Sequence, residues 1–191
     1  IDYAHSPDSL KNVITTINEI KKSDKILITV VGCGGNRDKS KRPLMGKIAS
    51  SLSDKVIFTS DNPRHENPLD IINQMRDGVN DIDLNKVDYE IDREKAIQKA
   101  CLKARINDVI LVAGKGHEKY QVHGDLKIDF NDKGTRFAEI QRWRGLVRQP
   151  YRPRKPQRVL QRCHWKKNLC NKQRYTASRS TACYRLLFAC H

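Results

Sequence analysis

The chain has 191 residues and a formal net charge of +15 at neutral pH. This length fits one ordinary domain, or one domain with a tail, and excludes a large multidomain enzyme. The longest apolar runs, such as residues 26–31, are too short to cross a bilayer, and the first residues do not resemble a secretory leader. We therefore expect a cytoplasmic protein with no membrane among its partners.

The positive charge is distributed very unevenly along the chain. Residues 1–133 contain 22 Lys and Arg against 21 Asp and Glu, whereas residues 134–191 contain 15 against a single acid. Four of the six cysteines also fall in the second segment. The sequence therefore predicts a nearly neutral folded domain over 1–133 and a basic tail over 134–191.

The first 133 residues alternate between helical and extended patterns. Ser6-Pro7 predicts the start of a first helix, because serine is a good N-cap and proline suits the first helical turn. Further helices are predicted from Pro43 through Leu52, from Asn67-Pro68 to Gly78, and from Asp92 through Ala104. The predicted strands are residues 26–31, 56–59, 89–91 and 109–113, and a terminal hairpin pairs 120–122 with 126–128.

This alternation predicts an α/β fold with a Rossmann-like, mostly parallel sheet flanked by helices, then the hairpin and a disordered basic tail. In such sheets, ligands bind outside the carboxyl ends of the strands. Three polar loops follow predicted strands, at residues 32–42, 61–64 and 114–118. The glycines and cations of the first loop suit an anionic ligand, but a solvated turn explains them equally well.

The second loop, residues 61–64, separates a carboxylate from a guanidinium by three positions. Such a pair suits a zwitterion, with Arg64 binding a carboxylate and Asp61 an ammonium, although a salt bridge within the turn is the simpler arrangement. In the third loop, Glu118 either contacts a ligand or only pairs with Lys115. Together the loops predict a crevice for a charged amino acid or a phosphate.

Other kinds of active site are not indicated by the first 133 residues. Neither a metal-ligand spacing nor a Ser/His/Asp or Cys/His set is present there, so we predict no metal site and no catalytic residue. Cys33 lies in the glycine loop but is expected to be a buried filler, and Cys101 is expected in the core.

Four motifs follow one another along the domain: DYAHSPDSL at 2–10, GCGGNRDKSKRPLM at 32–45, DNPR at 61–64 and AGKGHEKYQ at 113–121. Together they closely resemble the C-terminal, amino-acid-binding domain of the Mur ligases, which build the peptidoglycan stem peptide. The DNPR loop resembles that of the ligases that add meso-diaminopimelate as the third residue, rather than lysine. The chain departs from the family pattern at Asn36, where Asp is usual, and at His65, where Ser is usual.

The resemblance implies a set of contacts to meso-diaminopimelate, formed by Arg37, Asp61, Asn62, Pro63, Arg64, Gly114 and Glu118. It places Asp2 and His5 on the nucleotide side. It also implies an ADP-forming amide ligase that joins meso-diaminopimelate to UDP-MurNAc-L-Ala-D-Glu. In the family, ATP and Mg²⁺ are bound mainly by a central domain and the muramyl dipeptide by further domains. Because these 191 residues contain no Gly-x-x-x-x-Gly-Lys-Ser/Thr loop, we expect a fragment that is inactive alone.

The basic segment after residue 133 does not follow the family pattern. A nucleic-acid-binding protein that acts through residues 134–191 is the alternative function that its charge would explain. A zinc site is poorly supported, because the cysteine pairs at 163 and 170 and at 183 and 190 are each separated by six residues. We favour a frameshifted or joined reading frame, and nucleic acid is then not expected as a partner.

Overall fold

The computed structural model describes residues 1–135 and confirms the predicted α/β fold. The strands of its parallel sheet are β1 (Leu27–Val31), β2 (Lys55–Thr59), β3 (Val87–Glu90) and β4 (Val109–Ala113). The helices are α1 (Pro7–Ile20), α2 (Lys41–Leu52), α3 (Pro68–Arg76) and α4 (Arg93–Lys103), with a 3₁₀ helix at Asp81–Lys86. The strand order is β3-β2-β1-β4, and the predicted hairpin of β5 (Tyr120–His123) and β6 (Leu126–Asp129) is antiparallel.

Strand β1 lies in the middle of the sheet, and all five of its residues are buried. Leu27 and Val31 pack into an apolar layer with α1, α2 and α3, whereas Ile28 and Val30 pack with α4 on the other face. Successive side chains of a strand point to opposite faces, so a strand covered on both sides is apolar throughout. The carboxyl end of β1 therefore lies beside the loops that follow β1, β2 and β4.

Three of the four α-helices in residues 1–135 begin at a side-chain cap, and α2 does not. The Ser6 hydroxyl accepts from the backbone N–H of Ser9, and the two residues form a reciprocal capping box. The Asn67 side chain caps α3 and the Asp92 carboxylate caps α4. These bonds satisfy backbone donors that would otherwise have no partner in the first turn.

Two elements begin two residues earlier than predicted. Helix α2 begins at Lys41, two residues before Pro43, so the proline stands inside the first turn, where its missing N–H leaves no intrahelical bond unmade. Strand β3 begins at Val87 instead of residue 89, directly after a 3₁₀ helix that the sequence did not predict. It is an edge strand that pairs only with β2 and is half-exposed, so its apolar signal is weak.

The described part of the chain ends in a helical turn at residues 132–135. The predictions for the basic tail, including its disorder and its four cysteines, concern residues that lie almost wholly outside this part. Among the helices of residues 1–135, none is long and apolar enough to cross a membrane.

Candidate functional site

The three predicted loops meet at the carboxyl edge of the sheet, because β2, β1 and β4 are neighbours in it. The Gly35 N–H donates to the Asn62 carbonyl oxygen over 2.9 Å, which joins the first loop to the second. A β-carbon at Gly35 would overlap the Pro63 carbonyl group, so only glycine permits this approach. The glycine loop therefore acts first as a close-packing element between two strand ends.

The loop of residues 61–64 is fixed from the side of the hairpin as well. Arg64 has a positive φ of 52°, a conformation that non-glycine residues seldom adopt. It is held there because its N–H donates to the Val122 carbonyl over 3.0 Å and its carbonyl accepts from Gly124 over 2.7 Å. The Gln121 side-chain amide donates to the Asp61 carbonyl over 2.8 Å. Hydrogen bonds from the hairpin therefore hold the loop of residues 61–64 in place.

A buried lysine joins the second loop to the third. The Lys115 ammonium lies 3.2 Å from Asp61 Oδ1, 2.9 Å from Asn62 Oδ1 and 3.1 Å from Glu118 Oε2. The Asn62 amide nitrogen also donates to Glu118 Oε2 over 3.0 Å. The Lys115 side chain is fully buried, whereas those of Asp61 and Glu118 are 11% and 20% exposed. We call these four side chains the Lys115 cluster.

Gly114 lies next to the Asp61 carboxylate of this cluster. Its φ of +110° is in a region that favours glycine, and a β-carbon there would lie 3.3 Å from Asp61 Oδ2. Glycine thus leaves that carboxylate oxygen unobstructed from the side of β4.

Two arginine side chains flank Gly34 in the first loop. Arg64 Nη1 donates to the Gly35 carbonyl over 2.7 Å, so the side chain is anchored at one nitrogen. A β-carbon at Gly34 would lie 3.0 Å from that nitrogen and 3.7 Å from Cγ of Arg37. Arg37 is exposed and has no ion-pair or hydrogen-bond partner within residues 1–135. Its charge is therefore directed to solvent.

The ionisation of the site favours charged ligands. Burial acts to raise the pKa of Glu118, but hydrogen bonds from Asn62 and Lys115 and the charge of Arg64 lower it below its usual value. Burial raises the pKa of the Cys33 thiol to about 12, so this cysteine is not a thiolate nucleophile at neutral pH. The predictions that Cys33 and Cys101 are buried are confirmed.

The first loop is supported from below by a buried ion pair. Arg42 is fully buried, and its Nη1 lies 2.9 Å from Glu66 Oε2. The hydrogen bonds from Arg42 and from the Asn36 N–H hold the pKa of Glu66 at about 2. Asn36 Oδ1 accepts from the His65 N–H over 3.0 Å, so the amide supplies the acceptor that an aspartate would supply there. The two departures from the family pattern thus contact each other.

Asp2 and His5 lie beside the third loop and not in the Lys115 cluster. Asp2 pairs with the end of β4, and its carbonyl accepts from the Gly114 N–H over 3.2 Å. The His5 ring contacts Tyr3, with ring centroids 4.8 Å apart, and Tyr3 in turn contacts His117. The structure therefore separates an aromatic patch from the charged crevice.

The geometry decides between the arrangements that the loop sequences left open. Asp61 and Arg64 do not pair with each other; Asp61 pairs with Lys115 and Arg64 binds carbonyl groups. Glu118 does pair with Lys115, as the simpler alternative for the third loop has it. Sequence reasoning did not assign Lys115 or Gln121 to the site, although both belong to the AGKGHEKYQ motif. In residues 1–135, no group of three or more His, Cys, Asp or Glu could hold a metal ion.

These loops and this sheet define a domain of the Mur ligase family. The family described as "Mur ligase, glutamate ligase domain" matches residues 1–116, and the chain belongs to it. The resemblance expected from the four motifs is thereby confirmed.

Two similar relatives carry the same enzyme name. The UDP-N-acetylmuramoyl-L-alanyl-D-glutamate–2,6-diaminopimelate ligases of Cytophaga hutchinsonii and Phocaeicola vulgatus are each 55% identical to it over 133 residues, or 70% of the chain. A solved structure of a ligase of that name superimposes with a TM-score of 0.69 at 37% identity and covers 74% of the chain. The chain spans only 27% and 28% of the two relatives, and 28% of the solved chain.

Proposed function

We propose that this chain is the amino-acid-binding domain of a ligase that adds meso-diaminopimelate to UDP-MurNAc-L-Ala-D-Glu in peptidoglycan synthesis. The observation that carries the proposal is the charge pattern of the three loops, with the carboxylates of Asp61 and Glu118 around Lys115 and two arginine side chains beside Gly34. A diamino dicarboxylic acid presents the complementary groups. The high identity to relatives that carry this enzyme name supports the same assignment.

The carboxylates of Asp61 and Glu118 are the proposed acceptors for an ammonium group of the substrate. Lys115 binds one oxygen of each, and the second oxygens, Oδ2 and Oε1, accept no hydrogen bond from residues 1–135. The Asn62 side chain accepts from Lys115 and from the Val122 N–H and donates to Glu118 Oε2, so its role is to hold Glu118 and Lys115 in place. An ammonium that bridges these free oxygens gains charge-assisted hydrogen bonds.

Arg64 and Arg37 are the proposed partners of a substrate carboxylate. Arg64 is anchored through Nη1, while its other donors have no acceptor in the described residues. A guanidinium offers paired donors that match a carboxylate, and anchoring reduces the rotational entropy lost on binding. Pro63 stiffens the turn between the two binding groups, and Gly114 leaves Asp61 accessible.

In the reaction that we assign to the whole ligase, ATP phosphorylates the D-glutamate side-chain carboxylate and releases ADP. The free amine of meso-diaminopimelate then attacks that carbonyl, and an amide and phosphate result. The part played by this chain is to bind one end of meso-diaminopimelate through its ammonium and carboxylate groups and so to orient the free amine at the other end, which contributes through proximity. No step through Mg²⁺ is assigned to residues 1–135, because they offer no metal-binding cluster. Asp2 and His5 remain on the proposed nucleotide side.

We expect the 191-residue chain by itself not to ligate, because it contains no phosphate-binding loop of the Gly-Lys-Ser/Thr type. The chain is incubated with ATP, Mg²⁺, UDP-MurNAc-L-Ala-D-Glu and meso-diaminopimelate, and ADP release is compared with a control without protein. ADP release above that control would show that the chain is a complete catalyst.

Calorimetry of the 191-residue chain tests the binding assignment. Meso-diaminopimelate is expected to bind, and L-lysine, which lacks the second carboxylate, to bind at least about 10-fold more weakly because Arg64 has no partner. Arg64→Met removes this preference. Arg76→Met, at an exposed arginine of α3, is the matched control and leaves it intact. Equal affinity for the two amino acids, or no binding of either, would contradict the proposal.

A further inference from the structure

Lys115 is unusual because its lysine side chain is fully buried among the polar loops at the carboxyl edge of the sheet. Lysine is almost never fully buried unless its charge is paired. Here the ammonium has three acceptors, two on the loop after β2 and one on its own loop. An ammonium has three N–H donors, so its capacity is filled by Asp61, Asn62 and Glu118.

The contacts of Lys115 leave one negative charge of the Lys115 cluster without a counter-charge. Asp61 and Glu118 contribute two negative charges, and the ammonium between them neutralises one. Without it, the partly buried carboxylates of Asp61 and Glu118 would repel each other, which would raise the pKa of Glu118. With it, the pKa of Glu118 stays below its usual value, and each of the two carboxylates keeps one oxygen that no donor in residues 1–135 occupies.

We infer that Lys115 is a positioning residue, the internal counter-ion that holds Asp61 and Glu118 in place, so that the Lys115 cluster has capacity for one substrate ammonium group. The inference rests on the proposed function and deepens it. It makes the binding of an amine by this site depend on a residue that the substrate itself does not reach, because the Lys115 side chain is fully buried.

A purely architectural role makes a different prediction. If Lys115 only filled space, its replacement would lower stability but would leave the titration of Glu118 in the folded protein unchanged. If Lys115 is the internal counter-ion, its replacement raises the pKa of Glu118 whether or not a ligand is present. The other ionisable groups that act on Glu118 are Asp61, Arg64 and Arg93, and none of them is altered by the substitution.

The first test is a ¹³C NMR pH titration of the Glu118 carboxyl carbon in the 191-residue chain. Lys115→Met is expected to raise the Glu118 pKa by about one pH unit or more relative to the unmodified chain. Lys119→Met is the matched control, since it removes the same charge from an exposed position four residues further on. It is expected to leave the titration unchanged. A Glu118 titration that is the same in all three proteins would overturn the inference.

Lys115→Gln guards against a failure of the methionine variant to fold. Glutamine retains a hydrogen-bond donor but no charge, so it too is expected to raise the Glu118 pKa. The ¹⁵N signal of the Lys115 ammonium in the unmodified chain gives a reading that requires no variant. Slow hydrogen exchange at neutral pH is expected for an ammonium bonded to three acceptors, and fast exchange would contradict the inference.

The second test is calorimetry with meso-diaminopimelate as the probe. Lys115→Met is expected to weaken binding about 10-fold or more, whereas Lys119→Met leaves it unchanged. If the unmodified chain binds and Lys115→Met binds equally well, this inference fails and the proposed function stands. If the Glu118 pKa moves as expected but the unmodified chain does not bind the amino acid, the proposed function fails.

Discussion

Two ion-pair systems at the same end of the sheet show how a closed pair differs from an open cluster. Arg93 and Asp132 are both fully buried, and Arg93 Nε and Nη2 each lie 2.8 Å from one oxygen of the Asp132 carboxylate. In the Lys115 cluster, by contrast, the cation is buried but the two carboxylates are partly exposed. The first system has used both of its carboxylate oxygens, and the second has not.

The comparison separates a group that holds the fold from one that binds a ligand. Arg93 Nη2 also donates to the Ala113 carbonyl over 3.0 Å, so the closed pair fastens the end of β4 to the end of the described chain. It has no acceptor left to offer. The Lys115 cluster retains one negative charge and two free carboxylate oxygens within residues 1–135, so it can bind a cation without breaking an internal bond.

The largest expected effect comes from breaking the closed pair. Arg93→Met leaves the buried Asp132 carboxylate without a counter-charge, and we expect the free energy of unfolding to fall by about 3–5 kcal/mol. Urea denaturation of the 191-residue chain measures this. Lys95→Met removes an exposed lysine whose ammonium lies 4.0 Å from Asp92, and should cost less than about 1 kcal/mol.

The second part of this experiment replaces both members of the ion pair with apolar side chains. Arg93→Met combined with Asp132→Leu removes the uncompensated charge, so most of the lost stability should return. If Arg93→Met costs no more than Lys95→Met, the closed pair does not hold the fold as described.

A smaller effect is expected where the first two loops touch. Gly35→Ala forces a β-carbon against the Pro63 carbonyl, which is backbone and cannot yield easily, so stability should fall by about 1–3 kcal/mol. Gly34→Ala places its β-carbon against the end of the Arg64 side chain, which can move. Its effect on the free energy of unfolding should stay within about 0.5 kcal/mol.

Gly34→Ala should separate binding from stability when its affinity for meso-diaminopimelate is also measured. Gly34→Ala displaces the Arg64 guanidinium and should weaken binding although the fold is intact. Thermal denaturation and calorimetry on the same samples supply both readings. Unchanged affinity in Gly34→Ala would argue against a role for the Arg64 position in binding.

A pH-dependent effect is expected at Glu66, whose ion pair is intermediate between the two systems. Its partner Arg42 is fully buried, but the Glu66 side chain is 16% exposed. Its folded pKa of about 2 is below the ordinary value of about 4.3, so its contribution to stability is complete above about pH 4.3 and disappears as the pH falls through about 2.

Denaturation of the unmodified chain and of Glu66→Gln between pH 6 and 2 tests the direction of this pH dependence. The difference in unfolding free energy should be largest near pH 6 and shrink toward pH 2. Glu19→Gln, at an exposed carboxylate of α1, is the control for net charge. A difference that does not change with pH would show that the ionised form of Glu66 is not what stabilises the loop.

The fold and the position of the crevice could be predicted because local signals determine them. Caps such as Ser6 and Asn67 mark helix starts, and the polar loops follow apolar strands. The Lys115 cluster could not be predicted, because Lys115 meets Asp61 and Asn62 across 54 and 53 positions through a long flexible side chain. Similarity to a family motif identifies such residues only as members of the motif and does not show which residues they contact.

Strand β3 shows a second limit. Its residues are half-exposed and pair on one side only, so burial imposes little pattern on the sequence, and the start was placed two residues late. The closed pair is a third case, since Arg93 and Asp132 are 39 positions apart and read individually as surface charges. Long-range ion pairs leave no periodic signal of the kind that helices and strands leave.

The central claim is that the three loops form one binding site for meso-diaminopimelate. It is tested most directly by ¹H–¹⁵N NMR of the 191-residue chain during titration with this amino acid. The account predicts saturable chemical-shift changes concentrated in residues 34–37, 61–64 and 114–118. Absence of changes at millimolar concentrations of meso-diaminopimelate, or changes confined to other parts of the chain, would contradict it.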